Sequence, residues 1–340
     1  MSKDVILTGL RSNSSFHLGN YLGAILPIIE LQKKHSGDYQ VNMFVPDLHS
    51  FTTPIDHTSL YEQTIDNLKV FVAAGLDIDD PNTFIYRQSY ISAHSELTWI
   101  LDCFAYVGEL SRMTQYKDKS EQNNTIGLLN YPVLMTADVL LYDAKWVPLG
   151  DDQKQHLELI RDLAARFNNK FDEEVFVIPE DWNKQQAFIN RKDGVRIRSL
   201  KNPDKKMSKS VEDPSGTIML DDSPDQASKK VMSATTDSVG KVNIDWKNQA
   251  GITNLLQILA TLNNESMEET LKHWADETSY GNLKSEVAKK VSSFLSDFQE
   301  KLKSVDEAKL IKKLEEDEEK MRQISDKKLS TVQRAVGLRP

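Results

Sequence analysis

Short apolar runs bounded by turn residues alternate with longer stretches of helical period through the first half of the chain. Val5-Ile6-Leu7, ending at Gly9, reads as a buried parallel strand, and Leu22, Ile25, Ile28, Ile29 and Leu31 form a helical stripe after Leu18. Pro27 inside that stripe predicts a kink or a local break, because proline lacks the N–H that a helix needs. Val41 to Val45 reads as a second strand, Tyr61 to Val72 as a helix and Thr83 to Tyr86 as a third strand. Helices are expected over Ser95 to Tyr106 and after Pro132, a residue suited to a first helical turn. Trp146 to Leu149 reads as a strand ending at Gly150. Asp151 to Phe167 then reads as a helix whose acidic start meets the positive end of its dipole.

Strand, loop and helix in this order predict an α/β fold, a Rossmann-like doubly wound parallel sheet. Ligands of such sheets bind beyond the carboxyl ends of the strands, which directs attention to the loops after Leu7, Val45 and Leu149. The lysine-rich stretch from Asn202 to Ser215 reads as an exposed mobile loop. From Ser223 to Val336 the pattern is helical, with no convincing strand, and predicts a C-terminal all-helical domain whose last helix returns to the first. The mixed charges between Lys301 and Lys328 read as a solvated helix surface.

The 340 residues suffice for a sizeable core and a second, smaller domain. The single cysteine, Cys103, excludes a disulfide framework and a cysteine-based zinc site, and fits a reducing cytoplasm. No apolar stretch is long enough to span a membrane. A net charge of −9 does not exclude an RNA partner, since phosphate contacts depend on clustered Lys and Arg.

Two constellations carry chemistry. Thr8-Gly9-Leu10-Arg11 leads from a strand to His17-Leu18-Gly19-Asn20 at a helix start. Free backbone donors there favour phosphate, glycine admits a flat nucleotide, and His17 and Asn20 can donate to phosphate oxygens. Alone, the string also fits a surface histidine beside a helix-start asparagine. In Lys205-Lys206-Met207-Ser208-Lys209-Ser210, two lysines three apart could neutralise the β- and γ-phosphates of ATP and departing pyrophosphate. Alone, that segment also fits an ordinary basic loop.

Together they resemble the two signature motifs of the class I aminoacyl-tRNA synthetases. Gly108 to Gln115, Tyr131 to Asp138 and Gly150 to Glu158 are similar to stretches of the bacterial-type tryptophan branch of that family. The resemblance runs from Leu7 to about Leu338. It implies activation of tryptophan by ATP, as MgATP, to an aminoacyl-adenylate and pyrophosphate, then transfer to the 3′ end of tRNA(Trp). By the same resemblance Arg11, Ser12, Asn13, Gly19, Asn20, Gly150, Asp151, Asp152 and Ile197 line the ATP site, with Met207, Ser208 and Ser210. Lys206, Lys209 and Lys119 serve pyrophosphate. Leu7, Gly9, His49, Tyr131, Met135, Val147 and Leu149 shape the indole pocket, and Gln153 meets the α-ammonium. The resemblance also implies a catalytic domain over 1–205 with a helical insertion at about 90–130, a signature loop over 206–215 and an anticodon-binding domain over 216–340. It further implies a cytoplasmic homodimer.

Asp138 carries the amino-acid assignment. A buried carboxylate facing the indole N–H has a good partner only when tryptophan is bound, and an unpaired polar group penalises the wrong ligand. Ser12-Asn13-Ser14 departs from the family's usual Pro-Thr/Ser-Gly, and Leu7 stands where an aromatic is common. A tyrosine-specific relative would need polar groups for a phenol, whereas Val139, Leu140 and Leu141 follow Asp138. A silent RNA-binding paralogue would be expected to lack the lysines. A small nucleotidylyltransferase has no need of the long helical part.

Overall fold

The computed structural model describes residues 3–11, 15–120, 125–189, 195–209 and 214–340, apart from the side chain of residue 119. Strand β1 (Val5–Gly9) leads to α1 (Leu18–Asn20), a π-helical stretch (Tyr21–Ile25) and α2 (Leu26–His35). Then come β2 (Gln40–Val45), α3 (Leu60–Ala73) and β3 (Thr83–Arg87). Helices α4 (Ala93–Asp102), α5 (Val107–Leu110), α6 (Thr114–Ser120) and α7 (Ile126–Leu140) precede β4 (Ala144–Trp146). Helices α8 (Lys154–Phe171) and α9 (Trp182–Ile189) complete this half. Beyond it lie α10 (Pro224–Met232), α11 (Ala250–Asn263), α12 (Met267–Trp274), α13 (Tyr280–Lys303) and α14 (Glu307–Ala335).

The strands form one parallel sheet of order β3-β2-β1-β4. The chain turns back across β1 to reach β4, so the switch point falls between the carboxyl ends of β1 and β4, where a ligand crevice is expected. Alternate residues feed two cores: Ile6, Val41, Met43 and Ile85 face one, Leu7, Phe44 and Tyr86 the other. The first core continues without interruption into α10, α11 and α13. Helix α14 joins both, giving Leu310 and Leu314 to the first and Met321, Leu329 and Val332 to the second.

Between those two sets α14 crosses the open edge of β3. Asp317 accepts from the amide of Ile85 at 2.8 Å and Glu318 from that of Arg87 at 3.1 Å, while Lys313 donates to the carbonyl of Thr83 at 3.0 Å. The carboxylates thus occupy donors that an edge strand otherwise leaves unpaired. Asp317 and Glu318 are buried, so the solvated-surface reading of this segment fails at its centre.

Other local readings need correction. Pro132 sits in the middle of α7, because Thr125 caps that helix earlier by accepting from the amide of Leu128 at 3.2 Å. The carbonyl of Pro132 accepts from the Thr136 hydroxyl at 2.9 Å. The strand expected over Trp146 to Leu149 lies instead at Ala144–Trp146 and shares only Trp146 with it; beyond it the Val147 amide turns to the Gln185 side chain and Pro148 has no donor. Helix α4 stops at Asp102, short of Tyr106. The break expected at Pro27 takes the form of the π-helical stretch just before it, which lets the proline sit in the first turn of α2.

Candidate active site

The carboxyl ends of β1 and β2 and the segment after β4 open on a cavity of about 630 Å³. Leu7, Gly9, His49, Tyr131, Met135, Asp138, Val147, Leu149 and Gln153 all line it. Gly150, Asp152 and Lys206 share the same space, as do Phe44 and Gln115, which sequence reasoning missed. Leu7, Met135, Val147 and Leu149 reach it from β1, α7 and the β4–α8 connection, three elements that meet where the sheet reverses its winding.

Asp138, on the last turns of α7, is 1% exposed. Its Oδ1 accepts from Gln88 Nε2 and His94 Nδ1, both at 2.7 Å, and Oδ2 lies 2.8 Å from His49 Nε2. Burial pushes the carboxyl up, but its interactions with His49 and His94, the hydrogen bonds first, outweigh it and hold it below its ordinary value. The expectation that Asp138 waits unpaired for its ligand is therefore wrong. The protein itself satisfies three of the roughly four acceptor positions of a carboxylate. One position on Oδ2 remains, on the group that forms part of the cavity wall.

A second network surrounds the mouth. The Tyr131 hydroxyl donates to Gln115 Oε1 and meets His156 Nε2, each at 2.9 Å. Gln153 Nε2 donates to Asp152 Oδ2 at 2.8 Å, so only the carbonyl end of that amide can face an ammonium group. Burial, followed by the charge of Asp152, pushes the Tyr131 hydroxyl up to about 12 and keeps it protonated. Asp151 and Asp152 are exposed in a short 3-10 turn opened by Gly150, where a Cβ would come 2.8 Å from Asp152 Oδ1.

Beyond the same carboxyl end of β1, His17 caps α1. Its Nδ1 accepts the amide of Asn20 at 3.2 Å and Asn20 Oδ1 accepts the amide of His17 at 3.3 Å. Leu18 donates to the carbonyl of Ile218 at 2.8 Å and Tyr21 to that of His17 at 3.1 Å. Most donors expected to be free at this helix start are thus taken. What remains is the ring: burial first, then the charges of Lys206 and Arg11, lower His17 to about 4. A neutral ring that accepts at Nδ1 carries its proton on Nε2, so His17 offers one N–H beside two cations. Gly19 permits this, since a Cβ there would lie 3.1 Å from the His17 ring and 3.4 Å from Ile197.

The lowered value has a stability consequence. A histidine at about 4 in the fold and about 6.5 unfolded stabilises fully above pH 6.5, and the contribution is lost as pH falls towards 4. His17→Asn keeps a capping side chain but removes the titrating ring. Urea melts at successive pH values should show a shallower acid loss in the variant across that window. Identical slopes would exclude His17 as the source.

The 205–209 segment closes a hairpin: Met207 donates to the carbonyl of Ile197 at 3.0 Å, and Ser199 to that of Lys205 at 2.9 Å. Met207 and Ile197 point into the core, so they anchor the hairpin rather than present side chains to a nucleotide. The carbonyl of Ser208 accepts from Thr217 at 2.8 Å. The two signature lysines part company. Lys206 lines the main cavity, whereas Lys209 lies 3.4 Å from Ser15 Oγ in a separate cavity of about 600 Å³ against α3 and α13. Ser12, Asn13, Ser14, Ser210 and the Lys119 side chain lie outside the described residues.

Gln88 and His94 escaped sequence reasoning. Both follow β3, so the carboxyl-end rule applied to that strand as well would have found them.

The family model described as tRNA synthetases class I (W and Y) matches residues 2–296. A tryptophan–tRNA ligase from Caldanaerobacter subterraneus subsp. tengcongensis is 41% identical over 335 residues, 98% of each chain. Tryptophanyl-tRNA synthetase from Mycoplasma pneumoniae matches with a TM-score of 0.82 at 33% identity, over 98% of both chains. The Campylobacter jejuni enzyme, complexed with ADP and tryptophan, matches with a TM-score of 0.78 at 29% identity, over 98% of this chain and 99% of that one.

Proposed function

Because the chain belongs to the class I tRNA synthetases, as a tryptophan–tRNA ligase, we propose that amino-acid activation takes place in the cavity between Asp138 and His17. The ligase first joins tryptophan to ATP. The carboxylate attacks the α-phosphate, the bond to the β-phosphate breaks and pyrophosphate leaves. A ribose hydroxyl at the 3′ end of tRNA(Trp) then attacks the acyl carbon and AMP departs.

The observation carrying the site assignment is that all nine residues expected around tryptophan line one cavity, with Asp138 in its wall. The indole N–H donates to the remaining acceptor position on Asp138 Oδ2. Leu7, Met135, Val147 and Leu149 flank the rings, and Gly9 leaves room beside β1. The carbonyl of Gln153 accepts from the α-ammonium. At the other end Arg11, Lys206 and the Nε2–H of His17 face the phosphates of ATP, which brings Mg²⁺ with it as part of the substrate. Gly19, Asn20, Gly150, Asp151 and Asp152 bound the nucleotide, with Ser12, Asn13 and Ser210 beyond the described residues. Lys209 reaches pyrophosphate after leaving Ser15, and Lys119 joins it.

Helices α10 to α14 grip the anticodon region of the tRNA. The enzyme works as a cytoplasmic homodimer. Trp99 on α4 and Ile126 on α7, 72% and 83% exposed on helices that pack together, support an apolar contact between copies. No helix among the described residues is long and apolar enough to cross a membrane. Tryptophan is expected to drive ATP–pyrophosphate exchange and tyrosine is not; equal exchange with both would overturn the pocket assignment.

A further inference from the structure

We propose that His94 and Tyr142 are positioning residues that fix the Asp138 carboxylate for the indole, an inference that rests on the reading of Asp138 just given. A carboxylate only accepts, so the 2.7 Å contact puts a proton on His94 Nδ1. In the neutral ring Nε2 is then an acceptor, and the Tyr142 hydroxyl, 2.9 Å away, is its donor. Each bond in the series Tyr142, His94, Asp138 therefore donates towards the carboxylate. All three side chains are buried, at 3%, 0% and 1% exposure, so no water competes for these bonds.

Gln88 adds a second donor to the same oxygen. With Oδ1 held twice, the carboxyl group cannot rotate, and Oδ2 keeps its free acceptor direction towards the cavity. Burial and the charge of Asp138 push the Tyr142 hydroxyl far up, which keeps it a donor. None of these partners lines the cavity, so their effect on the ligand passes through Asp138 alone.

The test compares tryptophan with 3-(benzothiophen-3-yl)alanine, which keeps the bicyclic shape but has sulfur in place of the N–H. The readout is the ratio of kcat/KM for the two in ATP–pyrophosphate exchange. Tyr142→Phe should lower that ratio about 5- to 10-fold, the equivalent of about one hydrogen bond, and leave the KM for ATP within about twofold. His94→Ala should lower it further. His94→Asn, which keeps an N–H near the place of Nδ1, should restore part of it.

A parent enzyme that discriminates, with Asp138→Ala abolishing the discrimination while Tyr142→Phe and His94→Ala leave it intact, overturns this proposal alone. A parent that does not discriminate, with Asp138→Ala changing nothing, overturns the Asp138 reading together with it. Equal loss for both amino acids in Tyr142→Phe marks a merely structural role and also overturns the proposal.

Discussion

Asp138→Ala is expected to lower kcat/KM for tryptophan about 100-fold in ATP–pyrophosphate exchange, while the KM for ATP stays within about twofold. A hydrogen bond to a charged group contributes about 1.5–3 kcal/mol, and 1.4 kcal/mol is a factor of ten, so loss of the indole contact falls at the upper end. The asymmetry between substrates follows from placement. Asp138 lies in the wall of the cavity near β1 and α7, whereas the cations that face phosphate gather around His17. Alanine also leaves the buried donors of Gln88 and His94 without an acceptor, so the fold weakens too. Asp138→Asn keeps the volume and one acceptor oxygen and should be less damaging to stability. A selective loss of ATP affinity in either variant would show that the carboxylate serves the nucleotide instead.

The second large effect concerns stability. Glu318→Ala is expected to destabilise the protein by about 3–5 kcal/mol, because it leaves a buried guanidinium without its counter-ion. Glu318 meets Arg87 through two bonds, Nε to Oε1 at 2.6 Å and Nη2 to Oε2 at 2.9 Å, and also accepts the Arg87 amide. The neighbouring Glu319 pairs with Arg322 at the helix surface and is more than half exposed. Its replacement by alanine should change stability by less than about 1 kcal/mol. Urea unfolding of the two variants decides the matter: similar midpoints would show that the buried pair contributes no more than the surface one.

The legible parts of this molecule were those whose signal is local. The first three strands of the sheet announced themselves by short apolar runs ending at turns, and the residues expected around tryptophan lay in four short stretches, at 7–9, 49, 131–138 and 147–153. What stayed hidden depends on partners far along the chain. Nothing near Asp317 and Glu318 indicates that they meet β3, so their charges looked like solvent-facing ones. Gln88 and His94 reach Asp138 across 50 and 44 positions. Pro132 carried a real preference for a first turn, which the Thr125 cap overrode by starting the helix earlier. The turn at His17 misled for a different reason: a histidine and an asparagine three apart can satisfy each other's backbone amides, which removes the donors that made the motif attractive for phosphate. The signature lysines were read as a pair because they are neighbours in sequence, yet the hairpin sends them to different cavities.

The covering of β3 by α14 also sets a timetable. The groups that close this strand edge are made 231 and 232 residues after the amides they satisfy. At translation rates of about 5–20 residues per second, the interval is on the order of 10–50 s. During that time the nascent sheet presents unpaired amides flanked by apolar side chains, a template for wrong pairing with another growing chain. The arrival of the last long helix is what closes this edge.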